Sequence, residues 1–311
     1  MSRVIRTDPS PIIARAPEIE LALASGRPVV ALESTIIAHG LPFPENLALA
    51  GELEADVRAE GAVPATIALI DGRIRIGLDA AEIERLVTSP DVAKVSRRDM
   101  AAVLAGGGLG ATTVAGTMIA ARLAGISVFA TGGIGGVHRG AESSFDVSAD
   151  LDELAQTRVL VVTAGAKAIL DLPKTLEVLE TRGVPVAGFG TDTFPAFWCR
   201  SSGLALPLRL DTAEAVARAF DLHRRLGLPS GFVVANPIPE ADALDRDLVE
   251  SAIAAALADA ARERIAGKDV TPYLLKRIVQ ATSGASLRAN IALVRNNARL
   301  AARIAVALTR L

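Results

Sequence analysis

The chain is poor in cysteine, in aromatic residues and in net charge, and each shortage closes off a class of function. One cysteine, Cys199, among 311 residues excludes a disulfide within the chain and a thiolate-built metal cluster. That usage suits a reducing cytoplasm, where we expect the protein to work. Aromatic residues make up 3% of the chain, too few for a surface that stacks on successive bases. Lys and Arg (33) nearly balance Asp and Glu (35), so the basic excess of a nucleic-acid binder is missing. No uncharged run of ~18 apolar residues occurs, because Arg122 and Gly125 interrupt the best candidate, and no membrane span is expected. The first twenty residues lack the apolar stretch and small-residue cleavage site of a secretory leader.

What is present is a large apolar fraction: 50% of the residues are hydrophobic, enough for a substantial core and for subunit contacts. Apolar runs at RPVVALEST (27–35), ISVFATGG, VLVVTAG, VPVAGFG and GFVVANP (231–237) read as strands, separated by stretches of helical composition. PENLALAGELEADVRAEG has Pro44 for a first turn and Gly61 for a stop. VPATIALIDGRIRIGL, 63–78, reads as a hairpin about Asp71-Gly72. A helix of small residues is expected to begin near Ala111-Thr112, another at Lys167, and the chain beyond Glu240 is helical in pattern. This alternation predicts an α/β fold: helices on both faces of a mostly parallel sheet, a β-hairpin and a helical C-terminal region. No linker divides the chain, so 1–311 is expected to form a single catalytic domain, with 1–20 a loosely ordered N-terminal segment.

Ligands of open parallel sheets gather at the carboxyl ends of the strands. Glu33, Gly132-Gly133, Gly165 with Lys167, Thr191-Asp192 and Asn236 each follow a predicted strand, so five segments put unusual residues on one edge. Glu33, partly removed from water, suits proton transfer near neutrality, or else caps a turn or pairs with a neighbouring strand. Lys94 and Lys167 suit carbonyl capture as a Schiff base, or else snorkel from the core into water. Small neighbours give Lys167 room for a ligand.

Asp146, Ser148 and Asp150 alternate in SSFDVSAD. In an extended chain they face one side, where they suit Mg²⁺ or Mn²⁺, while Ser148 or Asp150 also suits the cap of a following helix with Glu153 in a capping box. His138 and Arg139, beside the cluster TGGIGG, suit a phosphate or a carbonyl oxygen, or serve as ordinary loop residues. Cys199 has no base at a recognisable spacing, and FPAFW reads as an apolar plug, a lid or part of an interface.

The sequence resembles the pseudouridine-5'-phosphate glycosidase family, also called indigoidine synthase A-like. The resemblance is carried by ALESTIIAHGLPFPEN, VPATIALIDGRIRIGL, KVSRRDM, GATTVAGTMIAA, FATGGIGGVHRGAESSFDVSADLDEL, TAGAKAILDLPKTLEVLETRGVPV, TDTFPAFWCRSSG, VVANPIP, GKDVTPYLL and SLRANIALVRNNA, which run in order along the chain. It implies a three-layer α/β/α fold, a homotrimer and a reversible reaction. That reaction splits the C–C glycosidic bond of pseudouridine 5'-phosphate into uracil and ribose 5-phosphate, assisted by a divalent metal, most often Mn²⁺. By motif, Glu33 resembles the proton donor and Lys167 the lysine that bonds to the sugar. Lys94, Val114, the stretch Ser148, Ala149 and Asp150, and Asn290 resemble substrate-binding positions, and Asp146 resembles the metal ligand. The family's pattern has Ser where Ala168 follows the lysine and Glu where Thr193 stands. Two other readings share these residues: a Schiff-base lyase or aldolase acting on another phosphosugar, and a nucleotide-sensing protein without activity.

Overall fold

The computed structural model describes residues 12–263, 265 and 270–311. Residues 1–11, and Gly267 to Asp269 of the GKDVTPYLL stretch, lie outside the described residues. The order begins β1 (Ile13–Arg15), α1 (Pro17–Ala24), β2 (Val29–Leu32), a π-helical turn (Ile36–Gly40), α2 (Glu45–Ala59), β3 (Val63–Ile70), β4 (Arg73–Ile76) and α3 (Ala80–Thr88). It continues with β5 (Ala93–Val95), α4 (Met100–Gly106), β6 (Gly110–Thr112), α5 (Val114–Ala124), β7 (Val128–Ala130), β8 (Val137–His138), α6 (Ala141–Ser144) and α7 (Ala149–Gln156). Then come β9 (Leu160–Thr163), β10 (Leu170–Asp171), α8 (Leu172–Thr181), β11 (Val186–Phe189), β12 (Leu208–Leu210), α9 (Ala213–Arg225) and β13 (Phe232–Ala235). Three helices follow: α10 (Arg246–Arg262), α11 (Val270–Ala281) and α12 (Ala285–Leu308).

The main sheet runs β1-β4-β3-β2-β7-β9-β13-β11-β12. From β3 to β12 every neighbouring pair is parallel. Strands β2, β7, β9 and β13 are buried at every position, as strands covered by helices on both faces must be. Helices α2, α9 and α12 pack together on one face, and α5, α7 and α8 on the other. The α/β/α expectation therefore holds, with a mostly parallel sheet, a hairpin and a helical C-terminal region.

The hairpin forms as read. Asp71 (φ 51°) and Gly72 (φ 78°) both occupy the left-handed region that a two-residue turn requires, and β3 and β4 pair antiparallel with Ile70 opposite Arg73. Strand β3 outruns β2. Its first half pairs with β2 as far as Thr66, and its second half pairs with β4 and β6. Strands β6 and β5 therefore hang beyond the carboxyl edge of the parallel strands.

Three local expectations fail. The N-terminal segment is ordered from Ile13 onward: β1 pairs with β4, and α1 buries Ile19 and Ala22, so the loose segment does not extend to residue 20. Gly110 to Thr112 form β6 rather than the start of a helix, because Thr113 caps α5 by accepting from the Gly116 N–H. Lys167 lies five residues before its helix. The sequence Asp171-Leu172-Pro173 supplies both the cap, with Asp171 accepting from the Lys174 N–H, and a first-turn proline, so α8 starts there. Lys167 sits instead in the loop between β9 and β10, with its N–H bonded to the Ile134 carbonyl at 3.1 Å.

Candidate active site

The carboxyl ends of five neighbouring parallel strands deliver the site. Glu33 follows β2, Thr131 follows β7, the Ala164–Lys167 loop follows β9, Asn236 follows β13 and the Thr191-Asp192 turn follows β11. The overhanging β5 brings Lys94 to the same edge. The charges of Lys167, Lys94 and Asp150 all act on Glu33, and those of Lys167 and Lys94 both act on His138, so these groups share one neighbourhood.

Glu33 accepts a short hydrogen bond on Oε1 from the Thr131 hydroxyl. Burial pushes its carboxyl above the usual carboxylate range, although Lys167, the Thr131 hydrogen bond and Lys94 oppose the shift. A shift in that direction favours the protonated form that a proton donor needs. Lys94 retains solvent access, yet desolvation of its ammonium, followed by the Lys167 charge, draws its pKa below that of an ordinary lysine. The His138 imidazole is also held below its ordinary value, first by burial and against the pull of Asp146.

The alternate spacing of Asp146, Ser148 and Asp150 does not make a three-oxygen cage. Asp150 is 5% exposed and turned inward: its Oδ1 accepts from the Ala115 N–H at 2.9 Å and its Oδ2 from the Gly135 N–H at 2.8 Å. Gly135 has to be glycine for this, since a Cβ there would lie 2.7 Å from that Oδ2. Ser148 caps α7, and Ala149, its first residue, is exposed. Glu153 does not close a capping box; fully buried, it bonds Arg97 at 2.7 Å and Thr157, which ties the loop after Lys94 to α7. Asp146 stays half-exposed, with its Oδ2 3.8 Å from His138 Nδ1.

Among the described residues no three His, Cys, Asp or Glu side chains converge as a metal site. A cation at Asp146 would therefore be held by one carboxylate and water. Mg²⁺ and Mn²⁺ accept such a donor set, so the residues fit.

The remaining expected residues divide by role. Val114 is the first residue of α5, and its side chain is buried in the core. Asn290 on α12 has a buried Oδ1 without a hydrogen-bond partner, close to Gly132. Phe194, Phe197 and Trp198 are buried and Phe197 packs against Gly132 and Gly133, so FPAFW is an apolar plug against the glycine loop. Burial pushes the Cys199 thiol up to about 11, which removes it as a nucleophile near neutrality. A cavity of about 340 Å³ opens beside Ala168, between Arg139, Cys199, Arg246 and Glu250, but Glu33, Lys94 and Lys167 do not line it.

Sequence reasoning missed three residues. Thr131 holds Glu33; its only signal was its place just before Gly132-Gly133. His39, on the π-helical turn after Glu33, has its pKa lowered by burial and then by the Lys94 charge, which places it near that lysine. Asn297, fully buried on α12, bonds the Thr131 carbonyl at 2.8 Å.

Comparison with known proteins gives this geometry a context. The family of indigoidine synthase A-like proteins matches residues 18–307. A pseudouridine-5'-phosphate glycosidase from Paracoccus denitrificans is 62% identical over 300 residues, covering 96% of this chain and 99% of the relative. Among solved structures, the prealnumycin C-glycosynthase AlnA in complex with ribulose 5-phosphate superposes with a TM-score of 0.90 at 44% identity, covering 96% of this chain and 97% of that one. An indigoidine synthase A-like protein from Thermotoga maritima gives 0.88 at 37% identity with the same coverage. With that match spanning β2 to β13, the site loops and nearly all of α12, the chain belongs to the indigoidine synthase A-like family.

Proposed function

We infer that this chain is a pseudouridine-5'-phosphate glycosidase, which reversibly cleaves the C–C glycosidic bond to give uracil and ribose 5-phosphate. One observation carries the reading: a carboxyl with a raised pKa, Glu33, and an amine, Lys167, interact at the sheet edge in a chain 62% identical to a relative of that name.

A C–C glycosidic bond offers no leaving oxygen to protonate, so the two-carboxylate route of ordinary glycosidases does not apply. Glu33 gives its proton to the ribose ring oxygen as the C1'–O bond opens, and the Lys167 amine adds to C1'. The secondary ammonium formed on C1' returns a proton to the Glu33 carboxylate, which passes it to uracil C5. The C1'–C5 bond then breaks, its electron pair restoring the C5–C6 double bond of the released uracil while the freed nitrogen lone pair forms the iminium. Water then adds to C1' and returns the amine, releasing ribose 5-phosphate. Lys94 and His138 supply cationic and hydrogen-bonding groups for the phosphate, and Asn290 supplies an acceptor. When bound at Asp146, a divalent ion such as Mn²⁺ would add positive charge for the phosphate. The working form in this reading is a cytoplasmic homotrimer. No described helix is long and apolar enough to cross a membrane.

Borohydride reduction in the presence of ribose 5-phosphate is expected to add one reduced sugar phosphate to Lys167, detected by peptide mass. Full activity without an adduct, or an active Lys167→Ala variant, would exclude the covalent role. The similarity to a C-glycosynthase complexed with ribulose 5-phosphate favours a second reading, a Schiff-base lyase for another phosphosugar. Uracil release from pseudouridine 5'-phosphate, and its absence with N-linked uridine 5'-phosphate, separates the two.

A further inference from the structure

The mechanism leaves a chain of buried amides unused. Asn297 lies in α12 and is fully buried. Its Oδ1 accepts from Asn236 Nδ2 at 2.9 Å, and its own Nδ2 donates to the Thr131 carbonyl at 2.8 Å and more weakly to that of Gly132 at 3.4 Å. Among the described residues Asn297 is the one hydrogen-bond donor to the Thr131 carbonyl. Thr131 is itself fully buried, and its hydroxyl bonds Glu33. The same face of α12 presents Leu293 and Asn290 to Gly132.

An apolar residue at position 297 would fill the space at less desolvation cost, so an amide there has to be accounted for by what it bonds. It holds both ends of a buried seam. Asn236 directly follows β13, where its N–H bonds the Thr163 carbonyl at 2.8 Å, and Thr131 directly follows β7, where its N–H bonds the Val162 carbonyl at 3.0 Å.

We propose that Asn297 is a positioning residue for the reaction: by fixing the Thr131 main chain, it aims the Thr131 hydroxyl at the Glu33 carboxylate and so sets the orientation and proton affinity of Glu33. The proposal rests on Glu33 being the proton donor. The Thr131 hydrogen bond favours the charged form of Glu33, as do Lys167 and Lys94, whereas burial and Asp150 disfavour it. Loosening Thr131 therefore raises the Glu33 pKa further.

The test compares the pH profile of kcat for pseudouridine 5'-phosphate cleavage in the full-length wild type, Asn297→Leu, Thr131→Val, the double variant and Glu33→Gln, with thermal melts of each. Asn297→Leu is expected to lower kcat about tenfold, part of what a general acid contributes, with KM nearly unchanged, and to move the Glu33 limb to higher pH. Thr131→Val is expected to move that limb in the same direction, and the double variant no further, because both act through one hydrogen bond. Thr131→Ser, which keeps the hydroxyl, is expected to restore the limb. A folded Asn297→Leu with wild-type kcat and profile would overturn the proposal. So would a loss of kcat with an unmoved limb, which marks a purely structural role. If Asn297→Leu fails to fold, an unshifted limb in Thr131→Val overturns it independently. The Glu33→Gln arm separates the two levels: an inactive Glu33→Gln beside an unaffected Asn297→Leu rejects only the positioning role, whereas an active Glu33→Gln rejects the proton-donor reading itself.

Discussion

Two carboxylates withdrawn from water have opposite fates here. Asp56, on α2 and 7% exposed, faces α12 and accepts from Arg295 Nε at 2.6 Å and Arg299 Nη2 at 2.8 Å. Burial pushes its pKa up, but the hydrogen bonds and charges of the two guanidiniums outweigh burial and hold it below the ordinary range. Glu33, at the carboxyl edge of the sheet, has one hydroxyl and lysines that interact with it only through space, and there burial wins. The two differ in partner geometry as well as in desolvation. A guanidinium fork docked on a carboxylate fixes it as an anion that joins two helices, whereas lysines kept off it leave a proton free to move. In the proposed mechanism Asp56 is the structural carboxylate and Glu33 the reactive one, and what touches each differs accordingly.

The contrast can be broken by exchanging each carboxylate for its amide. Glu33→Gln is expected to cut cleavage about 10³-fold, within the range for loss of a general acid–base group, measured as uracil release. Asp56→Asn is expected to change that rate less than about threefold while costing about 2 kcal/mol of stability, between the values of exposed and fully buried ion pairs. The loss would be read as a fall in Tm of ~4 °C.

The pH dependence of these melts sharpens the contrast because the signs oppose. Asp56 has a lowered folded pKa, so its contribution is present above the unfolded value and is lost as pH falls through the folded one. The Asp56→Asn deficit should therefore be full at pH 7 and shrink below about pH 4. Glu33 has a raised folded pKa, so its contribution is full below the unfolded value and is lost as pH rises through the folded one. Glu33→Gln should then be slightly more stable than wild type at pH 8, by ~2 °C, with the gain disappearing toward pH 4. The smallest effect is expected from Ala168→Ser. Ala168 is buried beside the lysine and its carbonyl meets Arg139 at 3.4 Å, so a hydroxyl there should alter cleavage by less than about threefold.

Much of this was legible in the sequence, because the governing signals are local. Five apolar runs, each ending in an unusual residue, locate a parallel sheet and its working edge, and Asp71-Gly72 fixes a hairpin. The start of α8 was also local, but Asp171-Leu172-Pro173 outweighs the helical composition of the residues before it. What could not be read depends on contacts distant in sequence. Asn297 meets Thr131 across 166 residues and Thr131 meets Glu33 across 98, and nothing in RNNARL or ATGG specifies those pairings. The alternation of Asp146, Ser148 and Asp150 misled because it presumes an extended chain. The cap alternative holds: Ser148, placed before LDELAQ, ends the strand-like stretch by capping α7, and Asp150 is turned into the interior.

Direct measurement of products tests the proposed chemistry most simply. Purified protein supplied with pseudouridine 5'-phosphate and Mn²⁺ is expected to release uracil and ribose 5-phosphate in equal amounts, and to run backwards when given those two compounds. Tight binding of pseudouridine 5'-phosphate with no uracil released in either the presence or the absence of metal would contradict it.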